Sequence, residues 1–220
     1  MIASISSFVD ELSRMPAAAG STNMFAGAPE DSEMNALRRR NLELYLNAMA
    51  EHAPRVLLVG EAPGYRGMRI TGVPFTNRAI LGSGVGCFGL FGPENGYAIP
   101  GDLPGVPAEP TATVMWDVLT ALNFLPLLWS AYPLHPHRPG NPLSNRMPSV
   151  RDVVTGRPFW HALRDIFDIQ QVVAVGNVAY RSVSASSVGA SVIRVRHPSH
   201  GGKVEFAHGL RALLEQPEFR

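Results

Sequence analysis

The sequence predicts an α/β fold, a three-layer α/β/α sandwich around one central four-stranded parallel sheet. Four short, continuous apolar runs each fit a parallel strand that is covered on both faces. Helical segments lie between these runs and also precede the first of them, which is the order expected of such a sandwich. The 220 residues, of which 45% are hydrophobic and 17% charged, suffice for a single domain over residues 1–220.

The N-terminal helical segment, residues 1–54, is predicted to hold a short helix, a loop over residues 16–31 and a longer helix. The loop is rich in small and turn-forming residues. The longer helix should begin near Asp31 or Ser32, because either side chain can cap its free amide groups. Its later turns place four apolar side chains on one face that should pack on the sheet: Leu42, Tyr45, Leu46 and Met49.

The core, residues 55–216, is predicted to alternate strands with helices. The predicted strands are residues 55–60, 127–132, 171–176 and 191–196. The predicted helices lie near residues 113–123, 157–167, 177–185 and 203–216. Folds of this class bind ligands beyond the carboxyl ends of the strands, so we expect the chemistry in the long loops 61–110 and 133–149.

Composition excludes several classes of site. The net charge is +1, so any DNA-binding surface must come from local clusters of cations. Cys87 is the only cysteine, which excludes an internal disulfide, a four-cysteine zinc site and a cysteine-ligated iron–sulfur cluster. Residues 1–15 lack the pattern of a secretory signal, and no apolar run approaches the ~20 residues that span a bilayer. We therefore expect a cytoplasmic protein without a membrane partner.

The first candidate segment, residues 60–76, follows the first strand and reads GEAPGYRGMRITGVPFT. Glu61 lies one residue past a buried strand, so its carboxylate can face the crevice and position a water or a cation, or can cap a neighbouring loop. Pro63 and Gly64 bend the chain so that backbone amides can line a pocket. Phe75 fits a stacking platform or the core.

The second candidate segment, residues 196–203 (RHPSHGGK), ends the last strand and opens the last helix. His197 is held by the following proline and can donate a hydrogen bond to a leaving-group oxygen, or it can be a structural residue. The glycine-rich turn and Lys203 offer amides and charge to a phosphate.

The third candidate segment, residues 134–141 (LHPHRPGN), is basic and rigid. His135 and His137 are two residues apart, but no third ligand has matching spacing, so contact with phosphate is favoured over a metal site. Ser149 is expected to cap the helix that follows.

In this order and at these strand ends, the three segments resemble the uracil-DNA glycosylase superfamily over roughly residues 55–210. Residues 60–64, GEAPG, resemble the first motif of its iron–sulfur branch, and residues 67–75, GMRITGVPF, resemble the branch selective for single-stranded DNA. Residues 197–199, HPS, match the second motif of the superfamily, and residues 138–141, RPGN, are similar to a proline-rich loop of the iron–sulfur branch.

The resemblance implies a monofunctional glycosylase that hydrolyses the N-glycosidic bond of a flipped-out deoxyuridine, releases uracil and leaves an abasic site. It implies a nucleoid-associated monomer acting on uracil-containing DNA, single- or double-stranded, with no cofactor and no metal. Glu61 would hold the attacking water or the cationic sugar, Phe75 would stack on uracil, and His197 would hydrogen-bond the developing uracil anion. The implied substrate-binding residues are Gly60, Ala62, Pro63, Gly64, Tyr65, Phe75 and Ser130. The implied DNA-binding residues are Arg66, Arg69, His135, His137, Arg138, Ser199, His200 and Lys203.

The chain departs from the superfamily pattern at three places. Ala62 stands where other branches place Asp or Asn, so Glu61 or a main-chain group must position the water. The second predicted strand ends in residues 129–132, WSAY, without the asparagine that reads the uracil edge. The cysteines that hold the cluster in the iron–sulfur branch are missing, and Cys87 matches none of their positions.

These departures leave other functions open. The small Gly64 and the missing asparagine leave room for another damaged base, such as hypoxanthine, xanthine or an oxidised pyrimidine. Ala62 also suits a catalytically weak protein that binds DNA or abasic sites. A nucleotide-binding α/β protein is disfavoured, because the GxGxxG pattern at residues 84–89 lies deep in a loop rather than directly after a strand.

Overall fold

The computed structural model describes residues 2–185, 192–199 and 201–216. Its strands are β1 (Ser21–Thr22), β2 (Val56–Gly60), β3 (Leu127–Ser130), β4 (His135–Pro136), β5 (Gln171–Val175) and β6 (Val192–Val195). Its helices are α1 (Ile5–Arg14), α2 (Glu33–His52), α3 (Met68–Thr71), α4 (Arg78–Ser83), α5 (Pro110–Ala121), α6 (Val150–Ile166), α7 (Asn177–Ser184) and α8 (Lys203–Leu214). Two 3₁₀ turns, Gly86–Phe88 and Pro93–Asn95, lie between α4 and α5.

The centre of the fold is a parallel sheet of four strands in the order β3-β2-β5-β6. Every residue of β2 and β3 is buried, as continuous apolar strands require when both faces of the sheet are covered. Helices α6 and α7 contact each other, as do α5 and α8, and right-handed crossovers put these pairs on opposite faces. The predicted three-layer α/β/α sandwich around a four-stranded parallel sheet is confirmed.

The two N-terminal helices pack against the same core. Ser32 caps α2 by accepting the N–H of Asn35, which confirms one of the two predicted starts of this helix. Tyr45 on its apolar face is fully buried, and its hydroxyl accepts the N–H of Leu128 at 2.9 Å. Because β3 is an edge strand, this bond satisfies a backbone group that the sheet leaves unpaired, so α2 covers the edge.

Several predicted boundaries need correction. Helix α6 begins at Val150 rather than near residue 157, because Ser149 and Asp152 form a capping box and the helix continues through Pro158. Helix α5 begins at Pro110 rather than 113, since proline fits the first turn of a helix. The long loop 61–110 is not irregular throughout, because α3 and α4 lie within it.

The predicted strands are also shorter than expected, and the last begins at Val192. Strand β3 ends at Ser130, although the N–H groups of Ala131 and Tyr132 still donate to Gly60 and Glu61. A small antiparallel pair of β1 and β4 was not predicted from the sequence. Within the described ranges, we find no helix with the length and apolar character needed to cross a bilayer.

Candidate active site

A cavity of about 400 Å³ opens at the carboxyl-terminal edge of the parallel sheet. It collects side chains that are far apart in the sequence, because the ends of β2, β3 and β6 meet at this edge. The lining residues are Glu61, Ala62, Pro63, Gly64, Met68, Phe75, Glu109, Thr111, Ser130, Pro136, Asn145, Arg146, Met147, His197 and Ser199. Both predicted catalytic residues and five of the predicted substrate-binding residues are therefore brought to one cavity.

Glu61 lies at the end of β2, where backbone bonds fix its position. Its carbonyl oxygen accepts the N–H of Tyr132 at 3.1 Å, which extends the pairing of β2 with β3 by one residue. Its side chain is half-buried, and this burial raises the pKa of Glu61 above its usual value, against the opposing field of Arg181. A partly desolvated carboxylate in a cleft is suited to meet a positive charge that develops in a substrate.

The turn after Glu61 is held in place by His135. His135 Nδ1 lies 2.8 Å from the carbonyl oxygen of Pro63, and Nε2 lies 3.2 Å from that of Pro142. Burial lowers the pKa of His135 to about 4, so the ring is neutral at pH 7 and can donate only one proton. The shorter contact assigns that proton to Nδ1, which makes His135 a structural clamp on the turn.

The expectation that His135 contacts DNA phosphate is therefore wrong in this structure. Its side chain is fully buried, because β4 pairs with β1 and turns the ring inward. Asn145 completes the clamp, since its Oδ1 accepts the N–H of Tyr65 at 3.0 Å. Tyr65 itself lies beside the cavity, where its hydroxyl accepts a hydrogen bond from Arg66 Nε at 2.7 Å.

We expect His135→Ala to lower the free energy of unfolding by about 2–3 kcal/mol, because it leaves the buried carbonyl of Pro63 unpaired and opens a cavity. Thermal and urea unfolding measure this loss. His137→Ala is the matched control, because His137 lies two residues away and is partly exposed. Equal stability of the two variants would contradict the clamp.

The stability that His135 contributes should also depend on pH. The folded-state pKa of His135 lies below its ordinary value of 6.5, so the unfolded chain binds a proton that the folded chain does not. The stability that this group contributes is complete above pH 6.5 and is lost as the pH falls toward 4. His135→Ala should therefore lose less stability than the wild type over this range.

Phe75 lies above the end of β2. A Cβ atom on Gly60 would overlap the Phe75 ring, so glycine is required there for the ring to reach this position. Phe75 has a left-handed φ of 51°, which is uncommon for an aromatic residue, and Trp116 Nε1 holds its carbonyl oxygen at 3.0 Å. The ring is partly exposed to the cavity, which fits a platform on which a planar ligand stacks.

His197 follows β6 and faces the same cavity. The N–H of Ser199 donates to His197 Nδ1 at 3.2 Å, and Ser199 Oγ lies 2.7 Å from the same nitrogen. Because Nδ1 accepts a backbone N–H, a neutral ring carries its proton on Nε2. Gly176 allows this placement, since a Cβ there would lie 3.1 Å from His197 Cβ.

Ser130 ends β3 directly beside Gly60 in the parallel register. Its side chain is buried except where it meets the cavity. The hydroxyl offers one donor and can also accept, but it is short and cannot present two separated polar atoms to a ligand edge as an amide does.

Glu109 is a lining residue that the sequence did not reveal. It precedes the proline that starts α5, and nothing in its local pattern distinguishes it from an exposed residue at a helix start. Burial raises the pKa of Glu109 to about 7, against the opposing field of Arg66. The cavity therefore holds two carboxyl groups, Glu61 and Glu109, both with raised pKa values.

The predicted DNA-binding residues fall into different places. Apart from Arg69, which lies elsewhere, those whose side chains are partly or fully exposed are Arg66, His137, Arg138, Ser199 and Lys203, and for them DNA contact stays a prediction. His200 lies outside the described residues. Lys203 Nζ pairs with Asp117 of α5 at 2.9 Å on the surface.

Arg69 is also partly exposed but does not face this cavity, and its contact with DNA stays a prediction. Met68 lines the candidate site, and the helical turn of α3 directs the next residue elsewhere, into a separate cavity of about 320 Å³ with Arg38 and Asp102. Burial lowers the pKa of Arg69, with a further contribution from Arg38.

The donor set of the cavity fits acid–base and electrostatic chemistry. Among the residues that the structure describes, no three His, Cys, Asp or Glu side chains come together as metal ligands. Cys87 is exposed, away from the lining residues. The arrangement can hold a planar ring on Phe75, a positive charge near Glu61 and a negative charge near His197.

Comparisons with known proteins agree with this fold. Residues 47–213 match the profile of the Uracil DNA glycosylase superfamily. The fold is similar to the crystal structure of wild-type SMUG2 from Pedobacter heparinus, with a TM-score of 0.57, 14% sequence identity, and coverage of 95% of this chain and 99% of that chain. A search of curated proteins finds no match.

Proposed function

Because the chain belongs to the uracil DNA glycosylase superfamily, we propose that it excises uracil from DNA by hydrolysing the N-glycosidic bond of a flipped-out deoxyuridine. Membership of the superfamily supports a DNA glycosylase, a hydrolase of DNA repair. The observation that carries the proposal is the convergence of Glu61, Phe75 and His197 on one cavity at the sheet edge.

Hydrolysis of this bond separates charge in a way that the cavity matches. The bond between C1′ and the base nitrogen breaks, the base leaves with the electron pair as an anion, and the sugar becomes a cation. Water adds its oxygen to C1′ and gives up a proton, so the products are the free base and an abasic sugar. Groups arranged in advance for both charges lower the barrier most in a site that excludes water.

Two lining residues suit the two charges. The Glu61 carboxylate stabilises the cationic sugar and can take the proton of the attacking water, which compensates for the nonpolar Ala62 beside it. The Nε2–H that the Ser199 contact assigns to His197 donates to the developing anion of the base. Phe75 stacks on the base and fixes its plane.

We further propose that exposed cations around the cavity bind the DNA backbone and that the protein acts as a monomer in the cytoplasm. Arg66, Arg138 and Lys203 have side chains that solvent reaches, and guanidinium groups suit phosphate contacts. Raising the salt concentration should then weaken substrate binding.

The test is release of uracil from labelled oligonucleotides that carry a single deoxyuridine, single- or double-stranded, in the presence of EDTA. We expect alkaline treatment to cleave the strand at the uracil position, and a matched thymine oligonucleotide to stay intact. Intact uracil strands at excess enzyme would overturn the proposal.

A panel of damaged bases separates the remaining possibilities. The small Gly64 and the short Ser130 favour testing hypoxanthine, xanthine and oxidised pyrimidines. Turnover on one of these without uracil release would shift the function to that base. Stoichiometric binding of an abasic strand without turnover would instead indicate a binding protein.

A further inference from the structure

The Glu109 side chain lies directly against the turn at residues 64–67, within the first candidate segment. A Cβ atom on Gly64 would lie 2.9 Å from Glu109 Oε2, and a Cβ on Gly67 would overlap the same oxygen. Both positions are glycine, so the carboxyl group can lie against the bare backbone of the turn. The carboxyl group therefore occupies the space that side chains on this turn would otherwise fill.

The carboxyl group lies near Thr76, the residue after Phe75, because a Cβ on Gly67 would overlap Glu109 Oε2 and would lie 2.9 Å from the Thr76 carbonyl oxygen. Asn77 Nδ2 donates to the Glu109 carbonyl oxygen at 2.9 Å, and Trp116, about two helix turns beyond Glu109, donates to the carbonyl of Phe75. Residues 75–77 and the start of α5 are thus tied together. Glu61, in contrast, is fixed at the sheet edge by β3.

This placement gives the carboxyl groups of Glu61 and Glu109 different roles. If the base stacks on Phe75 with the sugar near Glu61, Glu109 faces the base rather than the sugar. The polar edge of uracil presents a carbonyl oxygen next to a ring N–H. Ser130 offers a single short hydroxyl, so it cannot complete both hydrogen bonds at that edge alone.

We propose that Glu109 is the base-reading residue of this glycosylase, and that its neutral carboxyl group donates to the carbonyl oxygen and accepts from the adjacent ring N–H of the flipped base. This inference rests on the proposed function. It assigns the substrate class as bases with a neighbouring carbonyl and N–H, which uracil, hypoxanthine and xanthine share.

The charge state of the carboxyl group matters, because an ionised carboxylate accepts only and repels the base carbonyl. Burial raises the pKa of Glu109 to about 7, so the neutral form is well populated at neutral pH. Arg66 on the neighbouring turn favours the ionised form, while Asn77 and the glycine backbone carry no charge. Glu61 and His197 also line the cavity, so the test must separate the effect of Glu109 on the rate from theirs.

Comparison of Glu109→Gln with the wild type achieves this separation. Glutamine keeps one donor and one acceptor but does not titrate, and both proteins retain Glu61 and His197. We expect kcat/KM of the wild type on a uracil oligonucleotide to fall relative to that of Glu109→Gln by roughly 10- to 30-fold between pH 6 and pH 8.5. A ratio that is constant across this range would overturn the proposal.

Glu109→Leu tests the hydrogen bonds directly. Leucine has a similar volume without polar atoms, so we expect kcat/KM at pH 6 to fall by about 10- to 100-fold, with Glu109→Gln restoring most of it. Melting temperatures establish that each variant is folded. Wild-type kcat/KM in a folded Glu109→Leu variant would overturn the proposal.

Gly64→Ala gives an independent test that leaves Glu109 in place. The added Cβ must displace the carboxyl group, so kcat/KM should fall in the wild-type background and fall much less in Glu109→Leu, where no carboxyl remains. Additive effects of Gly64→Ala and of Glu109→Leu on kcat/KM would contradict the contact between Gly64 and the Glu109 carboxyl group.

The proposed function and this inference can fail separately. If the wild type releases none of these bases, the proposed function fails. If it releases uracil but the Glu109 variants behave as the wild type, only this inference fails.

Discussion

Glu61→Gln is expected to lower kcat for uracil excision by about 100- to 1,000-fold while the protein remains folded. The amide has the size of the carboxyl group but cannot carry the negative charge that stabilises the cationic sugar, nor accept the proton of the attacking water. Single-turnover excision at saturating enzyme measures the chemical step. The matched control is Glu51→Gln on the exposed surface of α2, which should leave the rate unchanged.

Stability distinguishes loss of catalysis from loss of structure in this variant. The folded-state pKa of Glu61 is raised, so the stability associated with its protonated form is present at low pH and is lost as the pH rises through the folded-state pKa. Near pH 7 the buried charge is a cost, and glutamine removes it. Glu61→Gln should therefore melt at the same temperature as the wild type or higher.

The pH dependence of uracil excision tests the role of Glu61 a second time. The carboxylate is the active form, so wild-type activity should fall as the pH decreases through the raised pKa of Glu61. The residual activity of Glu61→Gln should lack this acid limb. An unchanged rate in Glu61→Gln, or an acid limb that persists in it, would remove Glu61 from the mechanism.

The strands and the sheet edge were predictable because apolar runs that are buried on both faces have a strong pattern. Glu61 and His197 each lie just past such a run, and parallel strands bring their ends to one edge. Their meeting in one cavity thus follows from the topology. The cap of α2 at Ser32 was predictable for a related reason, since it depends on local hydrogen bonding alone.

Side-chain direction in the loops was less predictable. Met68 and Arg69 are adjacent, yet α3 sends one to the candidate site and the other to a separate cavity. The basic loop predicts that His135 is exposed, but the pairing of β4 with β1 over a long sequence separation buries it. Neither outcome can be derived from local spacing, because each depends on a short element that tertiary contacts create.

The role of Glu109 in the site could not be predicted from local sequence either. Its importance comes from two glycines more than forty positions earlier, whose missing side chains admit its carboxyl group. The sequence shows the glycines as turn residues and the glutamate as the residue before a helix. Only the packed structure shows that they share one space.

His197→Ala is expected to lower kcat on uracil by about 100- to 1,000-fold, because it removes the donor that stabilises the leaving base as an anion. The matched control is His208→Ala on the exposed side of α8, which should leave the rate unchanged. Ser199→Ala should produce a smaller loss, since it keeps the backbone N–H that orients His197 and removes only the hydroxyl contact.

The leaving base itself provides the decisive comparison for His197. 5-Fluorouracil forms a more stable anion than uracil, so its departure depends less on a hydrogen-bond donor. The loss of rate in His197→Ala should therefore be smaller for a 5-fluorouracil oligonucleotide than for a uracil oligonucleotide, whereas Glu61→Gln, which acts on the sugar, should slow both by similar factors. Equal losses on the two bases in His197→Ala would show that His197 supports the structure of the cavity rather than the leaving anion.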